Sequence, residues 1–159
     1  MLWLCRPGKK GIYIDLFTSN RKIYLAWSGF RIDLSKLRDR EEFKKIVIEE
    51  KNPESSISVS NWYGQLYSFC NEMKSGDYVL IPYPRSKQYA LGKIIGEYEY
   101  NENEELCHSR KIEIMEDKIP REIFSQSLQY SMGAFRTLFK IKNEEEVFET
   151  INDWRNKKW

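Results

Sequence analysis

Short runs rich in β-branched and aromatic residues recur along the chain between turn-forming residues, a pattern typical of β-strands. The clearest pair begins at the Gly76-Asp77 turn, which starts one apolar strand that a Gly- and Tyr-rich strand then follows. The pattern predicts strands at Met1–Cys5, Gly11–Phe17, Arg21–Trp27, Tyr78–Ile81, Tyr89–Tyr100, Cys107–Met115 and Thr137–Ile141. The second and third of these flank Ser19-Asn20 and are expected to form a hairpin.

Helical spacing replaces this pattern in four places. Between residues 39 and 50, apolar residues fall on one face of a predicted surface helix. A second helix is predicted from an N-cap at Ser60 to Gly76, since its apolar residues are spaced by four, three and four. Residues 120–130 suggest one or two helical turns. The last helix begins at Asn143, where three glutamates follow and favour the positive end of the helix dipole.

Together these elements predict an α+β domain, with about six or seven strands in a curved sheet or barrel and helices at its periphery. A chain of 159 residues is long enough to bury one core of its own. The barrel is expected to span residues 1–142, and residues 143–159 to form an amphipathic helix that packs on it or extends from it.

Charge is unevenly distributed, although the net charge is only +2. Residues 1–40 contain nine Lys and Arg but three Asp and Glu, so the remainder carries a net negative charge. A basic N-terminal surface suits phosphates, and ordinary surface charge is the equally balanced alternative. The candidate phosphate-binding residues are Lys9, Lys10, Arg21, Lys22 and Arg85.

Cysteine use and hydropathy indicate the compartment. The three cysteines, Cys5, Cys70 and Cys107, are widely spaced and form no C-x-x-C pair, so neither a disulfide framework nor a zinc site is predicted. The apolar N-terminal stretch is too short for a signal peptide, and no later run is long enough to span a bilayer. A cytoplasmic protein with reduced thiols is therefore expected.

No pattern typical of an active site stands out. His108 is the only histidine, and it and Cys107 should point to opposite faces of a strand, so they cannot easily share a metal. The triplet Glu116-Asp117-Lys118 has the spacing found in metal-dependent nucleases, but no acidic partner precedes it on a neighbouring strand. We therefore predict no catalytic residue, metal site or cofactor.

Aromatic residues, 14% of the chain, are the stronger functional signal. Six of them lie at strand ends, at helix starts or beside loops, where a ring can face a ligand: Trp27, Trp62, Tyr83, Tyr89, Tyr98 and Tyr100. Each ring that stacks on a nucleobase contributes about 1–3 kcal/mol, and a methyl group on the base adds apolar contact. The alternative, core packing, is evenly balanced for Trp62 and less favoured for Trp27, which precedes Ser28-Gly29.

Four motifs follow one another in order: Trp27-Ser28-Gly29, Asn61-Trp62-Tyr63-Gly64, Lys74-Ser75-Gly76-Asp77, and the strand from Gly92 to Tyr98. Their order resembles the PUA-like superfamily, and within it the EVE and YTH modified-base readers. It is most similar to the N-terminal domains of Mrr-like and McrB-like modification-dependent restriction systems. The resemblance covers roughly residues 10–142, and the ordered set is more specific than any one motif.

The resemblance implies a PUA-like (EVE/YTH-like) curved β-barrel of about six strands with peripheral helices, which inserts a flipped-out base into an aromatic cage. By position, Trp27 matches a cage tryptophan, Ser28 a contact to the base edge, and Asn61-Trp62 the start of the helix beside the pocket. Tyr98 or Tyr100 would form a further wall. Tyr83 completes the candidate base-binding pocket.

The predicted function is therefore recognition, without catalysis, of a modified and most simply methylated base in double-stranded DNA. The domain would be the specificity module of a restriction or defence system, with a nuclease or NTPase as candidate effector. No such module follows in this chain, so it is expected to be a stand-alone reader, a subunit that acts with a separate effector, or a domain of a longer protein. Three alternatives stay open: an RNA-binding PUA-like module, a nuclease using Glu113, Glu116 and Lys118, and a protein adaptor that docks through Trp154 and Trp159.

Overall fold

The computed structural model describes residues 1–27, 30–51, 56–134 and 136–157. Within these residues the strands are β1 (Leu2–Cys5), β2 (Lys22–Tyr24), β3 (Tyr78–Tyr83), β4 (Gln88–Ile94), β5 (Glu99–Tyr100), β6 (His108–Pro120) and β7 (Leu138–Lys140). The helices are α1 (Ile14–Asn20), α2 (Arg40–Lys51), α3 (Ser56–Tyr67), α4 (Gln126–Met132) and α5 (Glu144–Lys157). The predicted α+β class is confirmed.

All the strands belong to one curled, half-barrel sheet with the order β2-β6-β4-β3-β1-β7, to which β5 adds by pairing with β6. Only the β1–β3 pair is parallel among the pairings of the described strands. β6 is the longest strand; it pairs with β4 over most of its length and with β2 and β5 at its N-terminal end. Two register shifts against β4 mark bulges in this strand, and bulges bend a sheet and increase its twist.

Two hydrophobic clusters cover the two faces of the sheet. Alternate residues of β1 show the division, since Trp3 and Cys5 join one cluster while Leu2 and Leu4 join the other. The first cluster includes apolar side chains of α1, α2 and α3, and the second includes those of α4 and α5. The sheet is therefore a central layer between two groups of helices.

The C-terminal helix packs on the chain's own core. α5 buries Val147 and Ile151 in the second cluster, and Trp154 lies against the same cluster. The hypothesis of a docking surface around Trp154 thus has no support from this packing, and Trp159 lies outside the described residues. No helix in the described ranges is both long and apolar enough to cross a membrane.

The predicted hairpin of Gly11–Phe17 and Arg21–Trp27 is wrong. Residues 14–20 form α1, and β2 contains three residues that pair with β6. Phe17 is fully buried with its ring centroid 5.5 Å from that of Tyr24, and the helix ends at Arg21 in the left-handed region, with φ 52°. Tertiary burial thus outweighs the β-propensity of a short apolar run, whose period alone does not distinguish strand from helix.

Two other predicted boundaries also move. Ser60 lies inside α3 and is not its N-cap, and the helix continues into a π-helical turn at Ser68–Glu72. The strand predicted at Tyr89–Tyr100 breaks between β4 and β5. At this break the Gly96 carbonyl accepts two hydrogen bonds from the guanidinium of Arg110, at 3.0 and 2.9 Å from Nε and Nη2, instead of joining a strand ladder.

Arg110, near the start of β6, is a buried cation whose described hydrogen bonds all go to backbone carbonyls. Besides the Gly96 carbonyl, the carbonyls of Phe69 and Met73 accept hydrogen bonds from its Nη1. The Phe69 and Met73 carbonyls lie at the C-terminal end of the helical segment that begins with α3. Unpaired carbonyls and the helix dipole favour a positive charge at such an end. Burial lowers the pKa of Arg110, but a guanidinium remains protonated at neutral pH.

We expect Arg110→Met to lower the free energy of unfolding by about 2–4 kcal/mol, because it leaves buried carbonyls without donors. Lys111→Met is the matched control, since the neighbouring side chain is exposed, and it should change stability by less than about 0.5 kcal/mol. Urea unfolding followed by tryptophan fluorescence measures both. Equal stability of the two variants would show that the carbonyls find other partners.

Candidate nucleic-acid interface

Trp27 and Trp62, which lie far apart in the sequence, meet beside the sheet. Their ring centroids are 6.4 Å apart with an interplanar angle of 42°, and both side chains are half-buried. Trp27 follows β2 by three residues, and Trp62 lies in the middle of α3. The fold thus brings together two of the rings that the sequence singled out.

The geometry of this pair limits how it can hold a base. Two parallel rings that sandwich a base must lie about 7 Å apart, twice a carbon contact distance of about 3.5 Å. The observed rings are tilted and in contact, so they form a V instead of a sandwich. A planar group that stacks on one of these rings would meet the edge of the other.

Tyr98 and Tyr100 belong to a second aromatic cluster, centred on His108. The Tyr98 and Tyr100 ring centroids lie 5.8 and 5.4 Å from that of the fully buried His108. Phe30 packs on the same imidazole at 5.6 Å. Both tyrosine rings pack on His108, whereas Trp27 packs on Trp62, so the predicted cage is divided between two clusters.

The hydrogen bonds of His108 determine its tautomer. Nε2 lies 2.8 Å from the Phe30 carbonyl, which can only accept, so Nε2 carries the proton. Nδ1 then accepts from the Tyr98 hydroxyl at 2.7 Å, and that hydroxyl accepts from the backbone N–H of Leu34 at 3.2 Å. Burial lowers the pKa of His108 and the Phe30 carbonyl partly opposes this, so the neutral form is favoured.

This network fixes the segment that carries Trp27. The Leu25 N–H donates to the His108 carbonyl at 3.1 Å, and the Phe30 N–H donates to the Trp27 carbonyl at 3.1 Å. The chain before and after Trp27 is therefore attached to His108, once through its backbone and once through its ring. Ser28, the predicted contact to the base edge, lies outside the described residues.

Tyr83 and Asn61 lie at other surfaces. The Tyr83 hydroxyl donates to Asp117 at 2.9 Å, and burial raises its pKa, as does this carboxylate. Its ring lines a cavity of about 720 Å³ together with Arg21, Glu113 and Lys118. Asn61 is exposed and lines a separate groove between α3 and β7.

The predicted phosphate-binding residues fall into two groups. Lys9, Lys10 and Arg85 are exposed, and the turn that contains both lysines packs against Pro84, since a Cβ on Gly11 would approach the Pro84 ring within 2.8 Å. Arg21 is also exposed, but Lys22 is half-buried with its Nζ 3.8 Å from a Glu104 carboxylate oxygen. The charge of Lys22 is therefore already compensated.

Only two of the three residues of the nuclease hypothesis are brought together. Glu113 and Lys118 line the cavity beside Tyr83, whereas Glu116 accepts a hydrogen bond from Arg155 of α5 at 2.8 Å. No group of three metal-ligating side chains occurs in the described part of the chain. All three cysteines are free; Cys5 and Cys107 are buried, and burial raises the pKa of the Cys5 thiol to about 12.

Most of this chain matches a known protein family. Residues 4–142 match the family described as Domain of unknown function (DUF8426). The chain belongs to the DUF8426 family. The matched region extends from β1 to just beyond β7 and contains Trp27, Trp62 and His108. No curated protein matches the chain, and no solved structure matches it.

Sequence reasoning missed the side chains that position the DUF8426 site. Arg110 and His108 carry the hydrogen bonds that hold the two tryptophan segments, and their spacing of two puts them on one face of β6. Two polar residues at alternate positions of a strand are typical of a solvated face, so the pattern itself predicts exposure. His108 attracted notice only as the sole histidine, and the sequence did not distinguish a surface position from a packing one.

The neutral state of His108 predicts a pH dependence of stability. Its pKa is lowered in the folded state, so below the unfolded pKa of about 6.5 the unfolded chain binds a proton that the folded DUF8426 domain does not. Stability should therefore fall as the pH drops below 6.5, by up to about 1.4 kcal/mol at pH 5.5, and the loss ends below the folded pKa.

Urea unfolding at pH 7.5 and 5.5 measures this change. His108→Gln retains a donor for the Phe30 carbonyl but does not titrate, and it should abolish most of the difference because the chain has no other histidine. A wild-type domain that becomes more stable at pH 5.5 would contradict the neutral assignment.

Proposed function

We propose that this DUF8426 domain recognises a modified base, most simply a methylated one, which is flipped out of double-stranded DNA, and that it does so without cleaving the DNA. The observation that carries the proposal is the V-shaped pair of Trp27 and Trp62, half-buried and 6.4 Å apart. The curled sheet, with a tryptophan shortly after β2, also supports a PUA-like identity for the fold.

The energetics of base flipping suit such a pair. Extruding a base from the duplex costs a few kcal/mol, which contacts in the pocket must offset. Stacking on one aromatic ring contributes about 1–3 kcal/mol, and the edge of the second ring adds apolar contact. A methyl group held against that edge is removed from water, which favours binding of the modified base over the unmodified one.

The tryptophans are also held in place before a ligand arrives. His108 holds the Trp27 segment, and Arg110 caps the helical segment that includes α3 and Trp62. A preformed site loses little conformational entropy on binding, so more of the stacking energy appears as affinity. The exposed cations Lys9, Lys10 and Arg85 are the candidate contacts to the DNA phosphates.

The wider role is part of the same proposal. A domain that only reads a modification needs an effector, and a nuclease or NTPase of the same restriction or defence system is the candidate. RNA is the alternative ligand, because a stacking pocket accepts any base and only a contact to the 2′-hydroxyl distinguishes the sugars. Matched DNA and RNA oligonucleotides with the same methylated base separate the two, and tighter binding to RNA would overturn the DNA assignment.

We expect Trp27→Ala to weaken binding to a duplex with one methylated base by roughly 5- to 150-fold, the equivalent of about 1–3 kcal/mol of lost stacking. Binding to the unmodified duplex, which depends on phosphate contacts, should change little. Fluorescence anisotropy with two duplexes that differ only in the methyl group measures both affinities.

The control for this experiment is Tyr130→Ala, which removes an aromatic ring that is 88% exposed on α4. It should leave both affinities unchanged. An equal loss on the two duplexes in Trp27→Ala would argue against a base pocket, and Trp62→Ala should reproduce the selective loss.

The phosphate contacts predict a change in salt dependence. In Lys10→Ala/Arg85→Ala, two exposed cations are removed, and the slope of log affinity against log salt concentration should fall by about 1.8. Lys22→Ala is the matched control, since Lys22 already faces Glu104 and should change the slope much less. Titrations between 50 and 200 mM salt, roughly the range where such contacts dominate, provide the slopes. An unchanged slope in the double variant would place the DNA backbone elsewhere.

A further inference from the structure

β7 ends the order of the sheet, and no other strand of the described residues covers its outer edge. The Arg6 N–H donates to the Thr137 carbonyl and the Ile141 N–H to the Leu2 carbonyl, which fixes the alternation of hydrogen bonds between β7 and β1. Because alternate residues of an antiparallel strand face opposite neighbours, the backbone groups of Leu138 and Lys140 point away from β1. Apart from the Leu138 N–H, no hydrogen bond of the described residues occupies these groups.

One of these outward groups is already paired with a side chain that acts like a strand carbonyl. The Leu138 N–H donates to Oε1 of Gln65 on α3 at 3.0 Å, and Nε2 of Gln65 donates to the Asn61 carbonyl at 3.1 Å. Gln65 thus ties α3 to one end of the edge. Farther along β7, none of the hydrogen bonds of the described residues occupies the outward N–H of Lys140.

The helix opposite the edge leaves space for a ligand. Gly64 lies within α3 on the groove side, and a Cβ built on it would have no described heavy atom within 4 Å. Glycine within a helix reduces stability relative to alanine, and no close contact with the described residues requires its small size here. A backbone that approaches the helix from outside would require it.

The space between α3 and β7 is a groove of about 680 Å³ with an excess of positive charge. The groove is lined by four cations, Arg40, Arg136, Lys140 and Lys142, and by one carboxylate, Glu72. Glu72 is paired with Arg40 at 3.2 Å, so the groove lining offers no carboxylate to the other three cations. An extended ligand in this groove is therefore expected to be acidic.

We propose that the groove between α3 and β7 binds an extended acidic segment of a partner protein, which adds a strand to the edge of β7. The Leu138 carbonyl and the N–H and carbonyl of Lys140 supply the hydrogen bonds of β-augmentation, while Gln65 keeps the Leu138 N–H, and the cations select acidic side chains. A peptide fits better than a nucleic acid, because a strand edge presents alternating donors and acceptors whereas a phosphodiester backbone only accepts. The inference does not depend on recognition of a modified base.

The test is an amide NMR titration of the whole ¹⁵N-labelled chain with a synthetic peptide of alternating valine and glutamate. We expect saturable shifts at Leu138–Lys140 and at Gly64 and Gln65, and at least tenfold slower hydrogen exchange of the Lys140 amide. The matched control peptide has the same side chains but N-methylated backbone nitrogens on its pairing edge, and it should bind at least tenfold more weakly. An oligothymidylate of equal charge is the third ligand.

Three results would overturn the proposal: no saturable shift with the peptide, equal binding of the N-methylated peptide, or oligothymidylate binding to the same amides more tightly than the peptide. In Gly64→Leu a side chain fills the groove, so peptide affinity should fall at least tenfold while the melting temperature is unchanged or raised, since leucine favours a helix.

A second variant keeps the test independent of any effect on folding. Arg136→Glu/Lys142→Glu changes two exposed side chains and should weaken peptide binding at least tenfold, whereas Lys118→Glu, an exposed cation outside the groove, should not. Retained peptide affinity in the double variant would contradict the role of charge. Neither groove variant should alter the ratio of the affinities for methylated and unmodified DNA, so this proposal and the proposed function can fail separately.

Discussion

The fold and its candidate site depend on two polar side chains that β6 buries on one face. His108 and Arg110 are 0% and 3% exposed, and each directs its ring or guanidinium nitrogens at backbone carbonyls or a hydroxyl. Burying such groups is costly unless they are hydrogen-bonded, so the surrounding backbone must adopt the conformation that supplies their partners. The two side chains therefore determine where the segments without regular structure lie.

Those segments are the ones that carry the rings. His108 holds the chain on both sides of Trp27, and Arg110 caps the helical segment that begins with Trp62's helix, α3. Because both anchors lie on one strand, two residues apart, the two tryptophans are positioned relative to each other by a single rigid element. This is how a site made from a loop and a helix keeps its shape in the absence of a ligand.

α3 lies between two surfaces of different chemistry. One side places Trp62 against Trp27, where aromatic faces suit a planar group, and the other presents Gly64 and Gln65 to the edge of β7. Rings contribute dispersion and stacking, which are indifferent to backbone direction, whereas a strand edge contributes directional hydrogen bonds. The same helix thus separates a surface suited to a base from one suited to a peptide.

The sequence by itself determined the α+β class, the strands β1, β3 and β7, and the helices α2 and α5, because their apolar periodicity is strong and local. It also selected Trp27 and Trp62, but it grouped with them Tyr83, Tyr98 and Tyr100, which contact other residues. It could not predict that residues 14–20 form a helix, that Tyr98 packs on His108, or that Gln65 meets β7. Those features depend on contacts between distant segments, and only the tertiary structure decides which buried polar groups find partners.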